Sequence, residues 1–176
     1  MRTASDISHV YLAGPVPFAL AKLVMADLRW ATAADIDAVL PLLEEYHLQE
    51  GLRGHSPEQF RGVLEDLFEA PTRGRLVLAT EGGEAIGYAL VVRRPSFEWA
   101  SDVAVLDEIF VKGKSRDHGI GRRMISFVED YAASEGLPSI TLEVANQNVS
   151  AREFYRAVGF HRVDREIYGR VVSGPR

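Results

Sequence analysis

Apolar positions along the chain change their spacing repeatedly, and each change marks a new element. From Asp27 onward, Leu28 to Ala31 reads as a short strand, and Thr32 with Asp35 three residues later resembles a capping box opening a helix. Ile36, Val39, Leu40, Leu43 and His47 then fall on one helical stripe. Pro41 removes an amide from its middle, which predicts a kink near Asp37 to Leu40, and Gly51 ends it. Ser56 and Pro57 set a second helix start, with Phe60, Val63, Leu64, Leu67 and Phe68 as the apolar face and a stop before Pro71. Arg75 to Thr80 and Ala85 to Arg93, joined by Glu81-Gly82-Gly83-Glu84, predict an antiparallel hairpin. A loop through Pro95 leads to a longer strand, Val103 to Val111, rich in Val, Ile and Phe. Gly119 to Glu135 is the strongest helix: Ile120, Met124, Phe127, Val128 and Tyr131 recur at three and four residues, and Gly136 and Pro138 stop it. Ile140 to Val144 is a strand and Ser150 to Val158 a short helix. Phe160 to Tyr168 is a last strand region that can run on to Val172.

This order is β, α, α, β, β, β, α, β, α, β, β, with a right-handed crossover around the Gly119 helix, and it implies a mixed sheet with helices on its faces. At 176 residues and 47% hydrophobic the chain can build one core, and residues 25–176 are expected to form one domain. Met1 to Val24 reads as a flexible or loosely packed N-terminal extension. A signal peptide is the alternative reading, although Asp6, Pro15 and Pro17 interrupt the usual charged-then-apolar order. Twenty Lys and Arg against 25 Asp and Glu give a formal charge of −5, with no long basic run, so nucleic acid is not an expected partner. The absence of cysteine excludes disulfides and a thiol nucleophile, and the five scattered histidines show no ligand spacing, so no metal is expected. No apolar run approaches the roughly 20 residues needed to span a bilayer, so no membrane partner is expected either.

Candidate chemistry sits between the long strand and the strongest helix. An anion such as phosphate needs converging amide donors, little side chain in the way and the positive end of a helix dipole. Arg116-Asp117-His118-Gly119-Ile120-Gly121 meets that description: Gly119 and Gly121 allow close approach, and the helix start aims unpaired amides at the loop. Lys112, Lys114, Arg116, Arg122 and Arg123 surround it with cations. The same glycines would equally serve a plain strand-to-helix turn. The spacing departs from both the Walker and the Rossmann patterns.

Leu106-Asp107-Glu108-Ile109-Phe110-Val111, then Arg116-x-x-Gly119-x-Gly121, Leu142-Glu143-Val144, Asn148-x-x-Ala151 and Phe154-Tyr155-Arg156-Ala157-Val158-Gly159-Phe160 follow one another in an ordered set. That set resembles the GCN5-related N-acetyltransferase (GNAT) superfamily. The resemblance implies an α/β (α+β) fold with a mixed, mostly antiparallel, splayed central sheet flanked by helices. It also implies acetyl-CoA as the acyl donor. Arg116, Asp117, His118, Gly119, Ile120, Gly121 and Arg122 would hold the pyrophosphate, mainly through backbone amides. Ile109, Phe110 and Val111 would offer backbone groups to the pantetheine arm, and Asn148 and Ala151 would lie near it at the next helix start. Tyr155 would protonate the departing thiolate.

Direct acyl transfer requires an amine that has lost its proton and is placed in line with the thioester. Asp107 or Glu108 can take that proton or hold the ammonium. Adjacent strand residues point to opposite faces, so only one of the two is expected to face a given cleft. Leu106 to Val111 is also similar to the pattern of the diamine (spermidine/spermine and thialysine) acetyltransferase branch, with the acidic pair inverted. In that branch the first acid contacts the polyamine, so Asp107 would be its counterpart, and Glu44, Glu45 and Glu50 could extend an acidic mouth. The expected activity is therefore acetyl transfer to a small amine or polyamine, with antibiotic, peptide or protein amines as alternative acceptors. Two other readings stay open: a catalytically silent acyl-CoA-binding or regulatory domain, and a nucleotide-binding module unrelated to CoA. The resemblance allows a homodimer, and an intracellular co-substrate implies a cytoplasmic location.

Overall fold

The computed structural model describes residues 26–52 and 54–172, so the expected extension at 1–24 lies outside the described residues. Strand β1 (Asp27–Trp30) is followed by a single 3₁₀ turn (Ala33–Asp35) and helix α1 (Ile36–Gln49). The Thr32–Asp35 cap forms, with the Thr32 amide donating to the Asp35 carboxylate at 2.8 Å, and Arg29 grips the same carboxylate at 2.6 and 2.8 Å. That ion pair holds the Asp35 carboxyl well below the usual carboxylate range. Helix α1 runs through Pro41 and closes at Glu50, after which Gly51 takes a left-handed φ of 69°. Helix α2 (Pro57–Glu69) begins on a complete capping box, in which the Ser56 amide donates to Gln59 Oε1 at 2.8 Å.

Strands β2 (Gly74–Glu81) and β3 (Glu84–Ser96) form the expected hairpin, turning on Gly82 and Gly83, both at positive φ. Strand β4 (Ser101–Val111) pairs with β3 as far out as Ser96↔Ser101, so both strands are longer than the sequence pattern indicates. Pro95 is tolerated inside β3 because β2 has already ended opposite Val92, and one edge of β3 there carries no ladder to lose. Helix α3 (Ile120–Ser134) crosses over to β5 (Ile140–Leu142), which pairs parallel to β4, and α4 (Val149–Ala157) follows. The sheet has five strands in the order β1-β2-β3-β4-β5, antiparallel except for its last pair. No helix among the described residues is long and apolar enough to cross a membrane.

The strand region expected from Phe160 to Tyr168 does not form among the described residues. Its apolar positions find no pleated neighbour, and Val163, Ile167 and Tyr168 remain exposed. A propensity for strand is a propensity to fit a half-buried pleated surface, and none is supplied here. The segment is fastened by the Phe160 amide to the Tyr155 carbonyl and by Arg165 to Glu98.

Alternate strand residues feed two separate cores. On one face, Val77, Ala79, Ala89, Val91, Ala104 and Leu106 pack against Ile120, Met124, Ile125 and Val128 of α3. On the other, Leu76, Leu78, Tyr88 and Phe110 pack against Ile36, Val39, Leu42 and Leu43 of α1 and Leu64 of α2. The result is three layers, helix on sheet on helix.

Candidate active site

One irregularity on β4 organises the site. Val91 pairs with Leu106 but Leu90 pairs with Glu108, so Asp107 is an extra residue without a partner on β3. Such a bulge reverses which face the following side chains take. Ala104 and Leu106 face α3, whereas Phe110 joins the α1 face, and Glu108 falls on that same side. Glu108 is half-buried, and Asp107 is left exposed. Simple strand alternation is interrupted at this point, and the bulge determines that Glu108 is the acid that turns inward.

The Glu108 carboxylate meets α1 and β3. The buried Tyr88 hydroxyl donates to its Oε2 at 2.7 Å, and His47 Nε2 stands 3.7 Å from Oε1. Burial raises the Glu108 pKa, opposed by the Tyr88 hydrogen bond and by His47, and assisted by the like charge of Asp107. Tyr46 stands beside this group on α1, its ring 5.6 Å from that of His47 and 6.0 Å from that of Phe110. Its phenol is pushed up to about 12, first by burial and then by the carboxylates of Glu108 and Glu50.

The same bulge marks where the sheet opens. Strand β5 pairs with β4 only from Ala104↔Ile140 to Leu106↔Leu142, and then ends. Among the described residues, Asp107 to Val111 have no β5 partner, which leaves part of the backbone edge of Ile109, Phe110 and Val111 available to an extended ligand. Gly87 makes the facing register possible: a Cβ there would lie 2.6 Å from the Phe110 carbonyl oxygen.

Beyond Val111, Asp117 and Gly119 both take left-handed backbone, at φ 64° and 74°, and no side chain caps the start of α3. The amides of Ile120, Gly121 and Arg122 therefore point out of the helix start without intrahelical acceptors. Consecutive amides in such a turn, reinforced by the dipole of a 15-residue helix, form an anion cradle. The two glycines do different work. Gly119 meets the positive φ, whereas a Cβ on Gly121 would come within 3.2 Å of the Phe154 ring of α4, so Gly121 permits helix packing.

The expected ring of cations is largely committed elsewhere. Lys112 and Lys114 both pair with Glu84, at 3.0 and 3.1 Å, and hold its carboxyl below the usual range. Arg116 donates from Nε to the Val111 carbonyl and from its guanidinium to Gln49 of α1, both at 2.8 Å, and Arg122 reaches the Ala157 carbonyl at 3.2 Å. Amides rather than side-chain charge form the cradle, and Val111 has its carbonyl already occupied. Asp117, His118 and Gly119 are exposed on the loop.

Across the opening, Asn148 caps α4 by accepting from the Ala151 amide at 3.1 Å. Tyr155, about two turns further, stands between Phe154 at 5.3 Å and Phe160 at 5.9 Å between ring centroids. Burial raises its pKa, and none of the described hydrogen bonds involves its hydroxyl. Beside Glu108, between α1 and α2, lies a cavity of about 330 Å³ lined by Glu44, His47, Leu48, Leu52, His55 and Phe60. A larger depression of about 550 Å³ between β1 and α3 includes only Arg122 of the expected site residues and stands apart from the chemistry.

Sequence reading missed Tyr46 and Tyr88, and took His47 for a stripe residue. Tyr88 sits in an ordinary strand alternation, and Tyr46 falls at core spacing on α1, three residues after Leu43, so each reads as a packing residue and neither carries a local signal of chemistry. Only the pairing of β3 with β4 and the packing of α1 reveal them.

An uncapped helix start, an open strand edge running from it and a half-buried carboxylate beside that edge lie together on one side of the sheet opening. The chain belongs to the acetyltransferase (GNAT) family, whose sequence model matches residues 36–160. It is similar to the uncharacterized N-acetyltransferase YhfO of Bacillus subtilis, at 29% identity over 136 residues, covering 76% of this chain and 89% of that one. It is also similar to an aminoglycoside N(6')-acetyltransferase type 1 of Serratia marcescens, at 23% identity, covering 68% of this chain and 84% of that protein. Among solved structures, the aminoglycoside N-acetyltransferase AAC(6')-Iy in complex with CoA shares the fold, with a TM-score of 0.74 and 21% identity over 84% of this chain and 94% of that one. The protein is thus an acyl-CoA-dependent N-acetyltransferase, with acetyl-CoA as its donor co-substrate.

Proposed function

We propose that the chain acetylates a primary amine of a small polycationic molecule, a polyamine or a compound of similar charge, with Glu108 as proton acceptor and Tyr155 as proton donor. The observation that carries this reading is the half-buried Glu108 at the β4 bulge, next to the open strand edge. The uncapped amides of α3 suit the pyrophosphate of acetyl-CoA, and the unpaired edge from Asp107 to Val111 suits its amide-bearing arm.

An acceptor arrives as an ammonium and gives a proton to the Glu108 carboxylate. Burial, by raising the carboxyl pKa, makes that carboxylate a stronger base than an exposed glutamate. The freed nitrogen attacks the thioester carbonyl carbon, a C–N bond forms, the C–S bond breaks and the sulfur leaves with the electron pair. Tyr155 supplies the proton to that sulfur and recovers one from solvent, while the new amide nitrogen loses its second proton to solvent and Glu108 releases its own there before the next turnover. The raised pKa of Tyr155 keeps the phenol protonated, so transfer depends on direct contact with the sulfur rather than on acidity. Asp107, exposed beside the site, and Glu44 and Glu50 on α1 suit the further positive charges of a polyamine.

A second reading, an aminoglycoside amine as acceptor, is favoured by the similarity to aminoglycoside N(6')-acetyltransferases. Both substrate types are polycations and use the same acids. Thiol release from acetyl-CoA with polyamines, aminoglycosides, amino acids and peptides separates the readings. Release with polyamines and not with the others supports the first, and release with aminoglycosides alone supports the second. CoA binding with no release for any of these amines overturns both acceptor readings.

A further inference from the structure

We infer that the cavity between α1 and α2 seats the hydrocarbon spacer of an α,ω-diamine unit, with Glu44 holding the second ammonium. The cavity thereby sets the chain length of the acceptor and favours a short polyamine over an aminoglycoside. This rests on the reading of Glu108 as proton acceptor for the first nitrogen. His47 joins the two regions, since it lines the cavity and its Nε2 stands 3.7 Å from Glu108 Oε1. An acceptor with one nitrogen at Glu108 can extend its body past His47 into this space.

The lining decides what kind of body fits. Its one acidic side chain is Glu44, and none of the described ion pairs engages that carboxylate. Most of the remainder is hydrocarbon and ring. Phe60 packs 4.7 Å from His47 and 5.9 Å from His55 between centroids, and Leu48 and Leu52 stand open at 73% and 49% exposure. Leucines left open beside a concave aromatic wall gain most from a hydrocarbon ligand. Each hydroxyl of a sugar-like ring pressed against Leu48, Leu52 or Phe60 would instead give up water without gaining a partner. The volume, about 330 Å³, lies at the low end of the roughly 300–1,000 Å³ of small-ligand pockets, and it suits a short chain rather than several linked rings. Polyamines and aminoglycosides are both polycations, so the acids alone do not separate them. A methylene spacer and a hydroxylated ring are separated by this wall.

Spacing along α1 sets the length. Glu44 and His47 are three residues apart and so are neighbours on the helix surface, with Cβ atoms about 5–6 Å apart. With His47 against Glu108, the two carboxylates lie roughly 6–10 Å apart, which matches the nitrogens of an extended diamine with about four to six methylenes. A monoamine of equal length satisfies Glu108 and the apolar wall but leaves Glu44 without a cation. Chain length and second charge are therefore read by different residues.

The test is kcat/KM for thiol release with a ladder of α,ω-diamines, from ethylenediamine to decamethylenediamine, and with monoamines of equal length. Wild type, Glu44→Gln and Leu52→Asn are compared, with acetyl-CoA binding as the check on folding. Wild type is expected to gain about two- to fourfold per methylene up to about six methylenes, and to level or fall beyond. At that length the diamine should exceed the monoamine by about fivefold, the scale of an ion pair open to solvent, and Glu44→Gln should bring this ratio close to one. Leu52→Asn should flatten the climb with length while the diamine preference stays. A wild-type profile without a length optimum overturns the proposal. So does a diamine preference that survives Glu44→Gln, or a higher kcat/KM for aminoglycosides than for every diamine. Calorimetric binding of the same diamines to the CoA-loaded protein reads the cavity without turnover, and a flat binding profile likewise overturns the proposal. A Glu108→Gln variant that keeps the wild-type acidic limb of the pH profile would instead overturn the proton-acceptor reading, whatever the length profile shows.

Discussion

The α3 side and the α1 side of the sheet build their parts of the site in different ways. On the α3 side, the cradle proposed for the donor consists of backbone: left-handed Asp117 and Gly119, an uncapped helix start and a strand edge left open where β5 ends. On the α1 side, the region proposed for the acceptor consists of side chains from three elements, with Glu108 on β4, Tyr88 on β3 and Tyr46 and His47 on α1. Backbone machinery needs only a short stretch of sequence to specify it. Side-chain machinery needs the tertiary fold to bring it together.

The difference can be broken from either side. The largest expected effect is that of Tyr155→Phe, which keeps the aromatic packing with Phe154 and Phe160 and removes only the proton. It should lower kcat by about 10²- to 10⁴-fold while acetyl-CoA affinity, read by calorimetry, stays at the wild-type level. Glu108→Gln should cost about 10²-fold in kcat/KM near neutral pH. Its carboxylate works only above its raised pKa, so wild-type activity should fall as pH drops through that value, and the variant should lack this limb. Next is Gly119→Ala, where open space surrounds the new methyl but φ is 74°. A left-handed alanine costs about 1–2 kcal/mol, visible as a lower Tm and weaker acetyl-CoA binding, with acceptor preference unchanged. Asp107→Asn should give the smallest change, roughly 0.2–1 kcal/mol, seen as a raised KM for polyamines that fades with added salt and is absent for a monoamine.

The same contrast decides what could be read from the chain beforehand. The caps at Thr32 with Asp35 and at Ser56 with Pro57, the Gly82–Gly83 turn and the start of α3 are local signals, and each element begins where those residues place it. The strand-to-helix turn at Arg116 to Gly121 was legible for the same reason, although the commitment of Lys112 and Lys114 to Glu84 and of Arg116 to Gln49 requires contacts across the fold. The bulge at Asp107 leaves no trace in the sequence, because Val103 to Val111 reads as an unbroken strand and only the register with β3 shows the extra residue. Without the bulge, neither the partner of Glu108 nor its face can be assigned. The strand expected after Phe160 failed for a related reason: its residues suit a strand, but a strand is completed by a neighbour, and nothing local announces that neighbour.

The central claim, that Glu108 takes the acceptor's proton while Tyr155 serves the leaving sulfur, is tested most directly by kcat/KM for thiol release measured from neutral to alkaline pH in wild type, Glu108→Gln and Tyr155→Phe. As pH approaches the amine's own pKa near 10, more acceptor arrives already neutral. The Glu108→Gln activity should then climb toward wild type while the Tyr155→Phe deficit stays constant. A Glu108→Gln deficit of the same size at every pH would contradict the account.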